Sequence, residues 1–250
     1  MIEIEPWKAA RLAALTAQDG WLNLTDRVEI DLSLANRPQS VGSVAGCDLR
    51  LSNGPAHLGN LLQGNRFETP DGMVNTFADH GNPMLQVGHF LLEIHTVDGH
   101  PALRVRDLTL PRTCDLRYFP NDPAWVIRAI WQALDTPQPH SINQKGAAPT
   151  TVQLTHRARF THAGHDVTLL ATHWKAGQPM FVIRDQTSGK QTYAASRFLL
   201  GEDMTETTLT LDFNKAHNPP CAFTDFAICP LPPRQNILPF AITAGELALT

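Results

Sequence analysis

The densest grouping of side chains able to do chemistry lies in the second half of the chain. Phe181-Val-Ile-Arg-Asp and Gln191-Thr-Tyr-Ala-Ala-Ser-Arg flank Gln186-Thr-Ser-Gly-Lys, in which Gly189 suits the positive φ of a hairpin loop. With Asp185 opposite Gln191, the side-chain period of two puts Phe181, Ile183, Asp185, Tyr193 and Arg197 on one face. A carboxylate, a phenol and a guanidinium then converge among apolar side chains. Two readings follow. Arg197 can clamp a carboxylate or phosphate while Tyr193 orients it, a task suited to the planar guanidinium fork; alternatively Arg197 and Asp185 satisfy each other as a partly buried pair. Asp212, Asn214 and Asn218 surround the end of the next strand, and Asn218 leads into Pro219-Pro220, which forces an extended turn. These three bond their own backbone or line the same pocket.

Other reactive groups point to less. Cys47, Cys114, Cys221 and Cys229 have no C-x-x-C spacing, and His217 and His173 do not complete a recognised zinc set, so no metal is expected and the thiols read as buried and inert. No motif supports a Cys-His nucleophilic pair. Of the 11 histidines, several sit at turns, such as His100 beside Gly99 and His165 beside Gly164. No G-x-G-x-x-G, P-loop or G-x-S-x-G occurs, so no cofactor is implied, and dehydrogenase, kinase and α/β-hydrolase chemistries are disfavoured.

The elements that must position these residues are mostly strands. Pro6 opens a run of strong helix formers that predicts one helix over residues 7–17, ending near Asp19-Gly20. From Arg27 the period becomes two: Val28, Ile30, Leu32 and Leu34 alternate with Glu29, Asp31 and Ser33, the pattern of a half-buried strand. Strands are expected near Asp48–Leu51, His57–Leu62, Met73–Phe77, His89–His95 and Ala102–Leu108, separated by Asn53-Gly54, Asp71-Gly72, Gly81-Asn-Pro and Asp98-Gly99 turn signals. Residues 125–132 fit either helix or strand. Residues 135–150 hold three prolines and a glycine without periodicity and predict a linker or long loop. Strands resume near Thr151–Thr155, Val167–Trp174, Met180–Asp185, Gln191–Leu199, Thr207–Phe213 and Phe240–Thr243. The expected fold is all-β with an N-terminal helix: a β-sandwich-like region over 1–134, then a β-barrel-like or sandwich region over 151–250.

Three ordered blocks carry a resemblance. Phe181 to Leu199, then Leu211-Asp-Phe-Asn-Lys-Ala-His-Asn-Pro-Pro-Cys-Ala-Phe, then Cys229-Pro-Leu-Pro-Pro-Arg-Gln-Asn-Ile-Leu-Pro resemble the signature of the bacterial and archaeal domain-of-unknown-function 1684 family. The likeness extends forward through Arg117-Tyr-Phe-Pro-Asn-Asp-Pro-Ala-Trp and back to Asp19-Gly-Trp-Leu-Asn-Leu. Family members run on as strands after the Asp-Pro-x-Trp element, which favours strand for 125–132. The resemblance implies no activity. Where His217 stands, members commonly have tyrosine. Val41 to Gly59 is similar to the first motif region of forkhead-associated β-sandwiches, but Ser43 and Gly54 replace the arginine and serine that contact phosphothreonine there.

Composition bounds the function. With 42% hydrophobic and 18% charged residues, the chain is globular. Its net charge of −4 and lack of a basic stripe argue against nucleic acid. The acidic start lacks the basic region of a signal peptide, and no apolar run reaches a membrane span, so a cytoplasmic, membrane-free protein is expected. Oligomeric state is not fixed by these features. Two hypotheses stand: a non-catalytic β-protein binding a small anionic ligand or a protein partner, and a hydrolase-type enzyme using Asp185, Tyr193 and Arg197 with His173 as proton carrier.

Overall fold

Most of the regular structure is strand. The computed structural model describes residues 4–97 and 99–249. The chain divides into two compact units, residues 14–113 and residues 114–250 with 1–13. Among the described residues there is one α-helix, Ile4–Thr16, which starts three residues before the expected position.

Residues 14–113 carry two five-stranded sheets. One runs in the order Leu24–Glu29, His100–Asp107, Phe90–Val97, Pro83–Val87, Ala78–Asp79; the other runs Leu49–Arg50, Gln39–Gly42, Gly59–Leu62, Arg66–Glu68, Val74–Thr76. Leu92, Leu103 and Val105 of the first share a core with Val41, Leu49, Leu61 and Phe67 of the second, which makes this unit a sheet-on-sheet sandwich. The expected run from Val28 to Leu34 ends at Glu29 and turns into a 3-10 segment, Leu32–Leu34. Of the Asp98-Gly99 turn signal, Asp98 lies outside the described residues.

Residues 114–250 carry an eight-stranded sheet. Its order is His165–Leu170, Ala147–His162, Val126–Lys145, Thr208–Asp212, Arg197–Glu202, Gln178–Ile183, His173–Lys175, with Cys229–Pro230 pairing onto the Val126–Lys145 strand. The sheet does not close, which removes the barrel alternative. Its core gathers Trp125, Trp131, Phe160, Phe181, Phe213 and Leu238.

Residues 135–150 are not a linker. They form the outer part of an antiparallel hairpin, with His140 opposite Val152, Ser141 opposite Thr151 and Ile142 opposite Thr150, turning at Gly146 with φ +84°. The prolines that suggested a loop are tolerated because Thr208–Asp212 pairs only with residues 126–130, leaving much of the outer strand at an edge. Pro137 sits in the irregularity between Ala133 and Gln138. Residues 125–132 resolve as a 3-10 turn, Pro123–Trp125, running directly into strand. Phe240–Thr243, expected as strand, is irregular. Among the described residues no helix is long and apolar enough to cross a membrane.

Candidate functional site

Asp185 and Arg197 meet, in a register different from the one the glycine suggests. Ile183 pairs with Arg197 and Phe181 with Leu199, so the hairpin loop runs from Arg184 to Ser196. Inside it Thr187 O accepts the amides of Lys190, Gln191 and Thr192, folding the tip on itself instead of pairing Asp185 with Gln191. The register is displaced by an even number of residues, so Phe181, Ile183 and Arg197 still share a face. That face is the core.

The Arg197 and Asp185 side chains keep 1% and 0% of their exposure, with Nη2 2.8 Å from Oδ2. Arg197 also donates to the carbonyls of Ala244 and Ile242, and Asp185 Oδ1 accepts from Thr187 N (2.8 Å), Thr187 Oγ1 (2.6 Å) and Ile242 N (3.1 Å). Burial pulls the Arg197 pKa below its ordinary value, with Asp185 opposing. The pair thus pins residues 242–244 to the hairpin, inside a closed core.

Tyr193 does not join them. Its hydroxyl donates to Cys221 O at 2.7 Å and accepts from Lys145 Nζ at 3.1 Å, and Lys145 also reaches Cys221 O at 3.2 Å. The expected three-residue cluster is therefore a buried pair and a separate phenol.

Asp212, Asn214 and Asn218 act on backbone. Asp212 Oδ1 caps the 3-10 turn Phe213–Lys215 by accepting Asn214 N at 3.1 Å, and Asn214 exchanges two 3.0 Å bonds with the backbone of Asp122. Asn218 gives its amide to Glu246 Oε2 (2.8 Å) and its side-chain nitrogen to Leu247 O (2.8 Å). The partners Arg11, Lys215 and Glu246 carried no local signal. Arg11 donates to Glu246 (2.9 Å) and Asn218 O (2.7 Å), and buried Lys215 bridges Glu202 (2.7 Å) and Asp212 (3.4 Å). Gly245, at φ +82°, permits this: a Cβ there would lie 2.4 Å from Ala216 O.

His217 is not arranged as an acid-base group. His217 packs beside Trp7 and Phe198, gives Nδ1–H to Lys215 O at 3.0 Å, and is held by burial at a pKa of about 3, so it is neutral at pH 7. His173 Nδ1 lies 2.9 Å from Thr172 Oγ1. Among the described residues no three His, Cys, Asp or Glu side chains gather as metal ligands.

Open space lies nearby. A cavity of about 260 Å³ is bounded by His140, Ser141 and Asn143 of the hairpin edge and by Leu231 to Gln235. Arg234 and His140 are its ionisable groups; among the described residues no carboxylate lines it. Pro232 and Pro233 fix the backbone that presents Arg234.

A family model described as "Protein of unknown function (DUF1684)" matches residues 114–247. The match contains all three signature blocks and the Arg117–Trp125 element; Asp19–Leu24 lies outside it. Among solved structures, the solution NMR structure of an uncharacterized protein of Haloarcula marismortui is 30% identical, over 53% of this chain and 75% of that one, with a TM-score of 0.44. No curated protein matches.

Proposed function

Since the chain belongs to DUF1684, a family of proteins of unknown function, we propose from its own geometry that it is a β-protein whose cavity beside Arg234 binds a small anionic ligand without catalysis at that cavity. One observation carries the reading: the cavity offers a guanidinium, an imidazole and the neutral polar side chains of Ser141, Asn143 and Gln235, with no carboxylate to repel an anion. Its volume is below the roughly 300–1,000 Å³ of drug-sized sites, which restricts the ligand to a small carboxylate or phosphate. Two successive prolines hold the Arg234 segment rigid, so little ordering entropy is lost on binding.

Asp185, Tyr193, Arg197, Asp212, Asn214 and Asn218 enter this reading as supports that hold the segments around the core. A hydrolase would need Asp185, Tyr193 and Arg197 to surround one reacting atom. Their hydrogen bonds are directed elsewhere. Titration calorimetry with inorganic phosphate and with mono-, di- and tricarboxylates tests the proposal and separates the two anion sources. Wild type should bind at least one at millimolar concentration or below, and Arg234→Ala should lose at least tenfold in affinity, the scale of about 1.4 kcal/mol. Equal binding by wild type and Arg234→Ala, or none by wild type, would overturn it.

A further inference from the structure

Two of the four thiols stand in a setting that the rest of the fold does not require. Cys221, in the 3-10 turn Pro220–Ala222, and Cys229, in the short strand beside Lys145, are both free thiols. They are brought close together: the Cys221 amide donates to Cys229 Sγ at 3.3 Å. The Tyr193 hydroxyl lies 3.8 Å from Cys221 Sγ, and the Lys145 ammonium sits on that hydroxyl. Lys145 keeps 41% of its side-chain exposure, while Cys221 and Cys229 lie buried beneath it. A thiol pair with a phenol and an ammonium is more than inert packing calls for, because reactive cysteines are distinguished by neighbours of this kind.

We infer that Cys221 and Cys229 form a two-electron dithiol redox site, in which Cys221 attacks a hydroperoxide and Cys229 resolves the product to an intramolecular disulfide. In the first step the Cys221 thiolate attacks one oxygen of ROOH. The O–O bond breaks, Cys221 becomes a sulfenic acid, and the departing RO⁻ takes a proton from the Tyr193/Lys145 pair and leaves as ROH. In the second step Cys229 sulfur attacks Cys221 Sγ, the S–O bond breaks, and the hydroxyl leaves as water with the Cys229 proton. Two thiols and one ROOH give one disulfide, ROH and water; the Tyr193/Lys145 pair regains its proton from the one Cys221 released on ionising. A small-molecule dithiol returns the pair to its reduced state.

The electrostatics agree with Cys221 as the thiol that attacks first. The neighbouring Cys229 thiol, with help from Tyr193 and Lys145, lowers the Cys221 pKa to about 7, while burial and the same neighbour push Cys229 up. Burial also raises the Cys114 thiol.

Reduced full-length protein is treated with stoichiometric hydrogen peroxide at pH 7, alkylated and digested for mass spectrometry. The expected product is a cross-linked peptide joining Cys221 to Cys229, with Cys47 and Cys114 still alkylated. In Cys229→Ser, dimedone should trap the sulfenic acid at Cys221. In Lys145→Gln, at a partly exposed position, the pH profile of oxidation should shift to higher pH than in wild type, and the rate at pH 7 should fall. Oxidation confined to Cys47 or Cys114, or a Lys145→Gln profile that superimposes on wild type, would overturn the inference.

Discussion

Replacing Arg197 with alanine removes three hydrogen bonds at once and leaves Asp185 charged in a site with no exposure. The lost bonds go to Asp185 Oδ2, Ala244 O and Ile242 O. Breaking a buried pair from one side costs about 3–5 kcal/mol. Here Asp185 keeps three donors on Oδ1, from Thr187 N, Thr187 Oγ1 and Ile242 N, which places the electrostatic loss near the lower end. Two carbonyls stripped of their donors add roughly 1 kcal/mol each. The sum is about 5 kcal/mol, and at roughly 2–4 °C per kcal/mol for a chain of this length the melting temperature should fall by about 10–20 °C. The double variant Asp185→Ala/Arg197→Ala should be more stable than the sum of the two single changes by about 1–3 kcal/mol, since it strands no charge. Recovery stays incomplete because Thr187 and Ile242 lose their acceptor. Urea melts of the four proteins give the coupling directly. An Arg197→Ala protein within 1 kcal/mol of wild type, or strictly additive single changes, would refute the description of this pair as a clamp on residues 242–244.

Two further changes probe the same packing. His217 has a folded pKa of about 3 against an ordinary 6.5, so the unfolded chain binds its proton first and stability falls as pH drops below 6.5. At pH 4.5 that residue alone should cost roughly 2–3 kcal/mol, and the difference between wild type and His217→Tyr in urea melts should shrink or invert over that window. An unchanged difference from pH 7 to pH 4.5 would mean that His217 is not buried neutral. Gly245→Ala should destabilise by more than about 2 kcal/mol, because a Cβ meets Ala216 O at 2.4 Å at a φ of +82°; thermal denaturation within 0.5 kcal/mol of wild type would contradict that approach.

The parts of the fold that could be read from residues are those with a regular period. The strand expected at residues 102–108 falls close to its observed place, His100–Asp107, because one face of it is committed to the sandwich core. The segment 135–150 misled for a physical reason: proline signals a missing donor, and a missing donor means either a loop or a strand edge. Sequence does not say which side of a strand is unpaired. The Arg184–Ser196 loop shows the same limit. Gly189 does adopt positive φ, at +77°, but three amides sharing Thr187 O set the loop length, and the register follows that bond pattern.

The candidate residues were legible as a group and not in their roles. Asp185, Arg197, Asp212, Asn214 and Asn218 all border segments that belong to no sheet ladder, chiefly 184–196, 213–222 and 236–249. Buried backbone amides and carbonyls must find partners wherever a ladder ends, and polar side chains are the remaining supply. A concentration of Asp, Asn and Arg in such stretches therefore measures how much irregular backbone has been buried. Asn236 makes the same point: fully buried, it satisfies Leu170 N, Leu170 O and Val182 O. Their distant partners, Arg11 and Glu246 above all, lie at separations no periodicity covers. Groups that do chemistry or hold a ligand differ in one respect, which is that some of their polar capacity faces open space or another reactive atom. By that criterion Arg234 and His140, lining a cavity, and Cys221 with Cys229, facing each other beneath Tyr193, are set apart from the residues that only close the core.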